Sequence, residues 1–243
     1  MQTTLVSHYG EKPEDVALYV KRCQDKLKTL LPYVFTPYEL AQVHGTIIGL
    51  EGCQTNNQIE NMNFREYRKE IRLIQPSQLL AFLRSSGIPS FDVQIGGYAE
   101  TTNYGFHSQG KHPYLRSFSI QGLIAVAMGW PADGSNVLDD FRRSFNQFNV
   151  LHKWHKNESD IDNDFFLVLG QIDRESVTDA RIADVESRMR QYMANTRPVT
   201  VTVNQTSLQL ICYLDTQLPL NTSRAYAVND SELTSDRFLQ CYD

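Results

Sequence analysis

Hydrophobic and polar positions alternate along this chain with two different periods, and these periods predict its elements. Between residues 13 and 33 the apolar side chains recur at nearly helical spacing with charges between them, which predicts an amphipathic helix. Similar patterns predict helices at residues 76–86, 137–150 and 178–193. Strand-like patterns, rich in β-branched and aromatic residues, cover residues 35–50, 91–95, 117–130, 164–170, 199–203 and 208–214. Polar segments at 56–66 and 101–113 are typical of loops.

The second half of the chain repeats the element order of the first, with a strand, a helix, a strand, a turn and another strand. The polar turn at residues 204–207 predicts a hairpin between the last two strands. We therefore expect an α+β fold, a single bilobal domain whose lobes span roughly residues 35–130 and 137–220. Two antiparallel sheets flanked by helices would then face a central cleft.

Composition limits the classes of function. The chain has 243 residues, 41% of them hydrophobic, which is enough to fill a core. Its net charge is −5, and the only locally basic stretch, residues 65–72, reads as a solvated helix face. We therefore expect no binding of long duplex nucleic acid, although a small phosphorylated ligand needs only one or two cations.

Location and cysteine chemistry are predicted from the same composition. The amino terminus lacks a basic segment followed by an apolar core, and no run approaches the roughly 18 apolar residues of a membrane span. We therefore expect a soluble, cytoplasmic protein without a membrane partner. The four cysteines are far apart and form no Cys-x-x-Cys pair, which predicts reduced, mostly buried thiols rather than a zinc site or disulfides.

The most informative motif is His44-Gly45-Thr46, which is followed directly by an apolar, β-prone run. Residues i and i+2 of a strand point to the same face, so the imidazole and the hydroxyl would project together. A histidine can move a proton near neutral pH, and a threonine hydroxyl can donate a hydrogen bond to a phosphate oxygen. The pair therefore suits a phosphate ester.

The chain resembles the 2H phosphoesterase superfamily in this motif and in the order of its predicted strands and helices. This LigT-like group includes 2′,3′-cyclic phosphodiesterases. The resemblance implies one His-x-Thr/Ser strand in each lobe, with two histidines facing each other across a groove. It also implies that one histidine is the general base and the other the general acid, while both hydroxyls hold the phosphate without a metal or cofactor. His44 and Thr46 match the first motif.

The second motif departs from the family pattern. Asp164 and Phe166 stand where the histidine and the hydroxyl are expected, and the segment ending at Thr206 keeps a hydroxyl but has no imidazole. Asp164 can replace an acid if burial raises its pKa. Phe166 cannot hold a phosphate, but it can stack on a base. The catalytic candidates are therefore His44, Thr46 and Asp164, with Phe166 in substrate binding.

Two other segments carry candidate binding residues. His152 and His155 form a His-x-x-His pair, which reads as a polar loop near a helix end rather than a metal site. If this loop folds over the cleft, His155 or His152 would supply the absent imidazole. The other segment, residues 104–116, is either an ordinary surface loop or a lid that stacks a base and contacts a phosphate. Its candidate binding residues are Tyr104, His107, Lys111 and Arg116.

These observations leave three interpretations. The first is a metal-independent 2H-like phosphodiesterase that acts on a nucleotide or RNA phosphodiester, either a cyclic phosphate or an oligonucleotide. The second is a catalytically degenerate relative that binds a nucleotide or an RNA end. The third is a structural or interaction protein in which His44 is an ordinary strand histidine.

Overall fold

The computed structural model describes residues 1–242 and has the α+β class expected from the sequence. Its strands are β1 Gln2–Ser7, β2 Phe35–Pro37, β3 Gly45–Gly49, β4 Gly52–Thr55, β5 Gln58–Asn61, β6 Phe91–Ile95, β7 Phe118–Gln121, β8 Ile124–Pro131, β9 Phe165–Ile172, β10 Val199–Val203, β11 Leu208–Tyr213 and β12 Arg224–Ala227. Its helices are α1 Glu14–Leu30, α2 Pro76–Leu83, α3 Pro113–Arg116, α4 Val137–Ser144, α5 Asp179–Asn195 and α6 Ser235–Gln240. None of the helices in residues 1–242 combines the length and apolarity that crossing a bilayer needs.

Local sequence signals explain where the predicted helices begin. Two acidic residues, Glu14 and Asp15, occupy the first turn of α1, where they interact favourably with the helix dipole. Pro76 begins α2, a position at which its missing N–H costs nothing. The Thr178 side chain accepts a hydrogen bond from the backbone N–H of Arg181 and so caps α5. All four predicted helices are confirmed, and the last predicted turns of the third form a 3₁₀-helix, Phe145–Phe148.

Three strand predictions are wrong in detail. Residues 35–50 form two short strands, β2 and β3, and residues 38–44 between them are not in strand conformation. Residues 117–130 form a hairpin of β7 and β8 rather than one central strand, because Gly122 has a φ of +59° that turns the chain. The last two strands do not form a hairpin with each other. Instead β11 pairs with β1, an amino-terminal strand that the pattern does not predict, and β10 pairs with β6.

Ten strands form one antiparallel sheet, and β4 and β5 form a separate two-stranded sheet. The main order in the large sheet is β10-β6-β8-β9-β3-β1-β11-β12, with β2 paired to β9 and β7 paired to β8. The predicted halves of the chain are interleaved in this order. The strands β6 and β8 lie between β10 and β9, whereas β3 lies between β9 and β1.

The large sheet curls strongly. A flat sheet would place β10 and β11 about 29 Å apart, because β6, β8, β9, β3 and β1 lie between them. Only residues 204–207 connect the two strands, a link that spans at most about 18 Å. A hydrogen bond of 3.0 Å joins His8 Nε2 to the Thr202 carbonyl, which brings the end of β1 against β10.

The helices pack on one face of this sheet. Apolar side chains of α1, α2, α4, α5 and α6 share a single core with one face of β1, β6, β10 and β11. The opposite face carries two smaller apolar clusters. One contains Val6, Tyr9, Ile211, Tyr213 and Leu218, and the other contains Tyr98, Val126, Met128 and Trp130. The candidate site lies on this second face.

The strand that begins directly after His44 meets the strand that begins directly after Asp164 at a short junction. Between β3 and β9, Gly45 is paired with Leu167. A Cβ atom on Gly45 would lie 1.8 Å from the Phe165 ring, which is part of the main core. The glycine of the motif therefore lets the two strands approach, and a larger residue would push them apart.

A disulfide corrects the expectation that all four cysteines are reduced. Cys212 in β11 is bonded to Cys241 at the end of α6, whereas Cys23 and Cys53 are free. The error arose because the two bonded cysteines are 29 residues apart in sequence and become neighbours only when α6 docks against the sheet.

We expect reduction of this disulfide, or the substitution Cys241→Ala, to lower the free energy of unfolding by about 3 kcal/mol, because the bond restricts the unfolded chain. Urea unfolding with and without reductant measures the loss. Replacement of the exposed Cys53 by alanine is the matched control and should change stability by less than about 0.5 kcal/mol. Four titratable thiols in the unfolded, unreduced protein would contradict the assignment.

Candidate functional site

His44 and Thr46 line a cavity of about 270 Å³ on the face of the sheet opposite the helices. Further walls come from β9 and from the two segments around residues 152–153 and 216–218. A second cavity of about 240 Å³ adjoins it and shares Ile124, Lys153 and Phe166 with it. Together the two cavities offer room for more than a phosphate group.

His44 is held as a neutral base. Its Nδ1 lies 2.7 Å from the Gln42 carbonyl, and because a carbonyl can only accept, Nδ1 carries the proton. The Tyr9 ring packs edge-on against the imidazole, with 5.8 Å between centroids. Burial lowers the pKa of His44 to about 4, and the charge of Lys12 acts in the same direction. At neutral pH the lone pair of Nε2 is therefore available to take a proton.

The antiparallel register places the motif side chains beside β9. Because Gly45 is paired with Leu167, Thr46 lies across from Phe166 and His44 lies across from Val168. All four side chains line the cavity. The expected grouping of an imidazole, a hydroxyl and an aromatic ring is therefore present on one surface.

Both carboxylate oxygens of Asp164 are bonded to other side chains of the protein. Its Oδ1 accepts hydrogen bonds of 2.6 Å from the Ser108 hydroxyl and from Trp130 Nε1. Its Oδ2 forms a 2.6 Å ion pair with Arg116. The Asp164 side chain is only 6% exposed. It thus anchors the 106–116 segment to β8 and β9, and this geometry does not fit the role of catalytic acid expected for it.

The other residues of the expected lid are dispersed. Tyr104 bonds through its hydroxyl to the backbone at Gly97 and Ala99 and packs on its neighbours. His107 is exposed and lines a third cavity, which adjoins the second one. Lys111 is exposed in a turn bridged to Ser108. Of the four candidates in this segment, only Arg116 lines a cavity adjoining His44, and its guanidinium is engaged by Asp164.

The two histidines of the His-x-x-His pair have different positions. His152 lines the cavity of His44 and Thr46. His155 is 1% exposed, bonds through Nε2 to Asp139 at 2.8 Å, and is not among the residues that line the described cavities. The substrate-binding role expected for His155 therefore does not fit its position, because the loop turns its ring inward.

Sequence reasoning missed two charged residues of the cavity. Lys153 lines both the first and the second cavity and is exposed, so it is a cation close to His44. Glu51 also lines the first cavity and accepts a 3.2 Å hydrogen bond from Asn63. The one sequence signal for Lys153 is its position directly after His152.

Sequence reasoning also missed Arg142, which lies on α4. It connects β3 to the segment before β9 from the helix side of the sheet. Its side chain is fully buried, and all five N–H groups are used. They donate to the carbonyls of Thr46 at 3.1 Å, Ile47 at 2.6 Å, Asp162 at 2.8 Å and Asp164 at 3.0 Å, and to the Asp162 carboxylate at 3.1 Å. One guanidinium on α4 thus binds β3 to the segment that enters β9.

A metal site is not evident in the described part of the chain. Within residues 1–242, no group of three or more His, Cys, Asp or Glu side chains is arranged to hold a metal ion. His152 and His155 each present only one further ring nitrogen, since each Nε2 is engaged by an aspartate.

Comparisons with known proteins identify no family. No family model matches the chain, and no curated protein matches it in sequence. Among solved structures it is similar to TT0787 of Thermus thermophilus, with 10% identity, a TM-score of 0.43, and 93% of this chain and 94% of that one covered. It is also similar to ATU0111 of Agrobacterium tumefaciens, a conserved protein of unknown function, with 13% identity, a TM-score of 0.40, and 83% and 79% covered. Likenesses this distant carry no argument about function.

Proposed function

We propose that this protein is a 2H-like phosphodiesterase that binds a nucleotide or RNA phosphodiester on the open face of its sheet and cleaves it without a metal ion. The observation that carries the proposal is the shared cavity of His44, Thr46 and Phe166. Lys153 adds a positive charge at the same place. An imidazole, a hydroxyl, a cation and an aromatic ring are the groups that a phosphate and a base require.

In this proposal His44 is the general base. With the Nδ1 proton directed at the Gln42 carbonyl, Nε2 is free to accept the proton of an attacking hydroxyl or water. Thr46 donates a hydrogen bond to a non-bridging phosphate oxygen, and Lys153 offsets its charge. Phe166 stacks on the base, a contact that contributes about 1–3 kcal/mol per base in proteins that bind single strands.

Binding without cleavage is the second candidate, and the state of Asp164 favours it. Both oxygens of this carboxylate are occupied, and Phe166 follows where a hydroxyl is expected. The second motif position therefore offers neither an acid nor a phosphate donor. The position of His44 does not support the interpretation as a structural protein, because this histidine lines a cavity instead of lying within the core.

A hydrolysis screen tests the proposal. The substrates are 2′,3′-cyclic mononucleotides, uridylyl-(3′,5′)-uridine, 2′,5′-linked oligoadenylates and cyclic oligonucleotides, assayed with EDTA present. We expect turnover of at least one class, and we expect His44→Gln to lower kcat about 10² to 10⁴-fold, the usual contribution of one general acid or base. His8→Gln, outside the cavity, is the matched control and should retain activity.

Titration calorimetry with the same compounds separates the two candidates. Binding that is weakened by Phe166→Ala, with no turnover of any substrate, would support a binding protein and overturn the phosphodiesterase. Equal turnover by wild type and His44→Gln would remove His44 from the mechanism. The absence of both binding and turnover would overturn the phosphodiester site itself.

A further inference from the structure

A third cavity, of about 330 Å³, extends the space around His44. It shares Gln109 and Asp164 with the second cavity, which in turn shares Lys153 and Phe166 with the first. The three cavities therefore form one continuous groove on the open face of the sheet. The third cavity, the far end of this groove, has no part in the function proposed above.

The strand β9 sets the length of the groove. Phe165 and Leu167 belong to the main core. Because side chains alternate along a strand, Asp164, Phe166 and Val168 point to the open face. Val168 lines the first cavity and Asp164 lines the far end, and at about 3.3 Å per residue they lie about 13 Å apart. Stacked nucleotides follow one another at about 3.4 Å, so the groove has room for more than one nucleotide.

The far end carries groups that suit a base better than a phosphate. Phe106 lines it, half-buried and packed against the Trp130 ring with 5.7 Å between centroids. Ile161 lines it from another segment and is 59% exposed, so a flat ring bound there would remove apolar surface from water. The exposed side-chain amides of Gln109 and Asn136 offer the donors and acceptors that read base edges. Among the described residues, no lysine or arginine lines the far end to neutralise a phosphate.

A cation lies in the second cavity, between the far end and the cavity of His44. Arg116 lines this second cavity, and its Nη2 and Nε are bonded to Asp164 at 2.6 Å and to Ser108 at 3.2 Å. Neither contact uses Nη1, so the N–H groups of this nitrogen are available to an anion. Because a guanidinium binds phosphate oxygens strongly, the middle of the groove suits the phosphate that links two nucleotides.

We propose that the far end of the groove is a subsite for a second base, so that this protein binds a chain of at least two nucleotides in preference to a mononucleotide. The inference rests on the phosphate site of the proposed function and deepens it. The first phosphate lies in the first cavity and the first base stacks on Phe166. The linking phosphate contacts Arg116. The second base lies against Phe106 and Ile161, where the Asn136 amide bonds to its edge.

Titration calorimetry tests this subsite without requiring turnover. The probes are adenosine 3′-monophosphate and adenosine 5′-monophosphate, each compared with the adenylyl-(3′,5′)-adenosine dinucleotide that carries the same terminal phosphate. We expect one of the two dinucleotides to bind about 10 to 100-fold more tightly than its mononucleotide, the factor that stacking of one base supplies. Phe106→Ala should remove most of this gain and leave the affinity for the mononucleotide unchanged. Tyr33→Ala, at a fully exposed aromatic residue outside the groove, is the matched control and should keep the gain.

The outcomes separate this inference from the proposed function. Equal affinities for mononucleotides and dinucleotides, or a gain that Phe106→Ala leaves intact, would overturn the second subsite alone. If Phe106→Ala does not fold, Ile161→Glu decides, because this exposed position accepts a charge that would face the second base, and a retained gain would overturn the subsite. A gain that depends on Phe106, with no turnover in the hydrolysis screen, would support the subsite and overturn the phosphodiesterase. Binding of none of the four nucleotides would overturn both proposals.

Discussion

The substitution Arg142→Met should lower the free energy of unfolding by about 3–5 kcal/mol, the usual cost of removing one partner of a buried ion pair. The Asp162 carboxylate, 4% exposed, would lose its guanidinium partner. The carbonyls of Thr46, Ile47 and Asp164 would also lose a donor. Each of these groups was removed from water on folding, so the substitution leaves buried carbonyls without this donor and a buried carboxylate without its cationic partner. Urea unfolding at pH 7 measures the change.

Arg143→Met provides the matched control for this prediction. Arg143 is the next residue of α4 and pairs with Asp139 at 2.6 Å, but its side chain is 31% exposed. Solvent weakens such a pair, so we expect a loss of about 1 kcal/mol. If the two variants had the same stability, Arg142 would not hold β3 to the 162–164 segment. Arg142→Lys should behave like Arg142→Met, because one ammonium group cannot reach the acceptors that a guanidinium spans.

Stability should also fall steeply as the pH decreases from about 6.5 to about 4. Burial lowers the pKa values of His44 and His152 to about 4, and for His152 the charge of Arg142 adds to the shift. In the unfolded chain both pKa values return to about 6.5. Between these limits the unfolded state binds protons that the native state does not, so acid favours unfolding. Each histidine contributes on the order of 3 kcal/mol over this range.

Urea unfolding at half-unit pH intervals tests this dependence. Besides Arg142, the charged or titratable groups around His152 are Asp162 and His155, while Lys12 acts on His44. The low pKa of Asp162, about 2, removes stability only below its unfolded value near 3.8, outside the range of the histidines. His44→Gln and His152→Gln should each flatten the slope above pH 4. A wild-type curve that is flat between pH 4 and 6.5 would disprove the assignment of two buried neutral histidines.

The second motif shows the limit of predicting a site from sequence. Asp164 stands where a histidine is expected, and the chain pattern alone permits a buried acid there. Its role is decided by Ser108, Trp130 and Arg116, which come from 34 to 56 residues away in the chain and surround both its oxygens. No local pattern records such partners. The same limit hid Arg142, since a helical arginine usually faces solvent.

By itself the sequence determined the elements with strong periodicity and the motif on β3. The four helices, the strand β6 and the strand β9 follow from local spacing, because side chains three or four apart share a helix face and alternate residues share a strand face. The same rule predicts that the side chains of His44 and Thr46 point to the same side. Tertiary structure alone decided the pairing of β11 with β1, the disulfide of Cys212 and Cys241, and the entry of His152 rather than His155 into the cavity. These contacts join residues far apart in the chain, and their free energy is gained only when a distant segment supplies the partner.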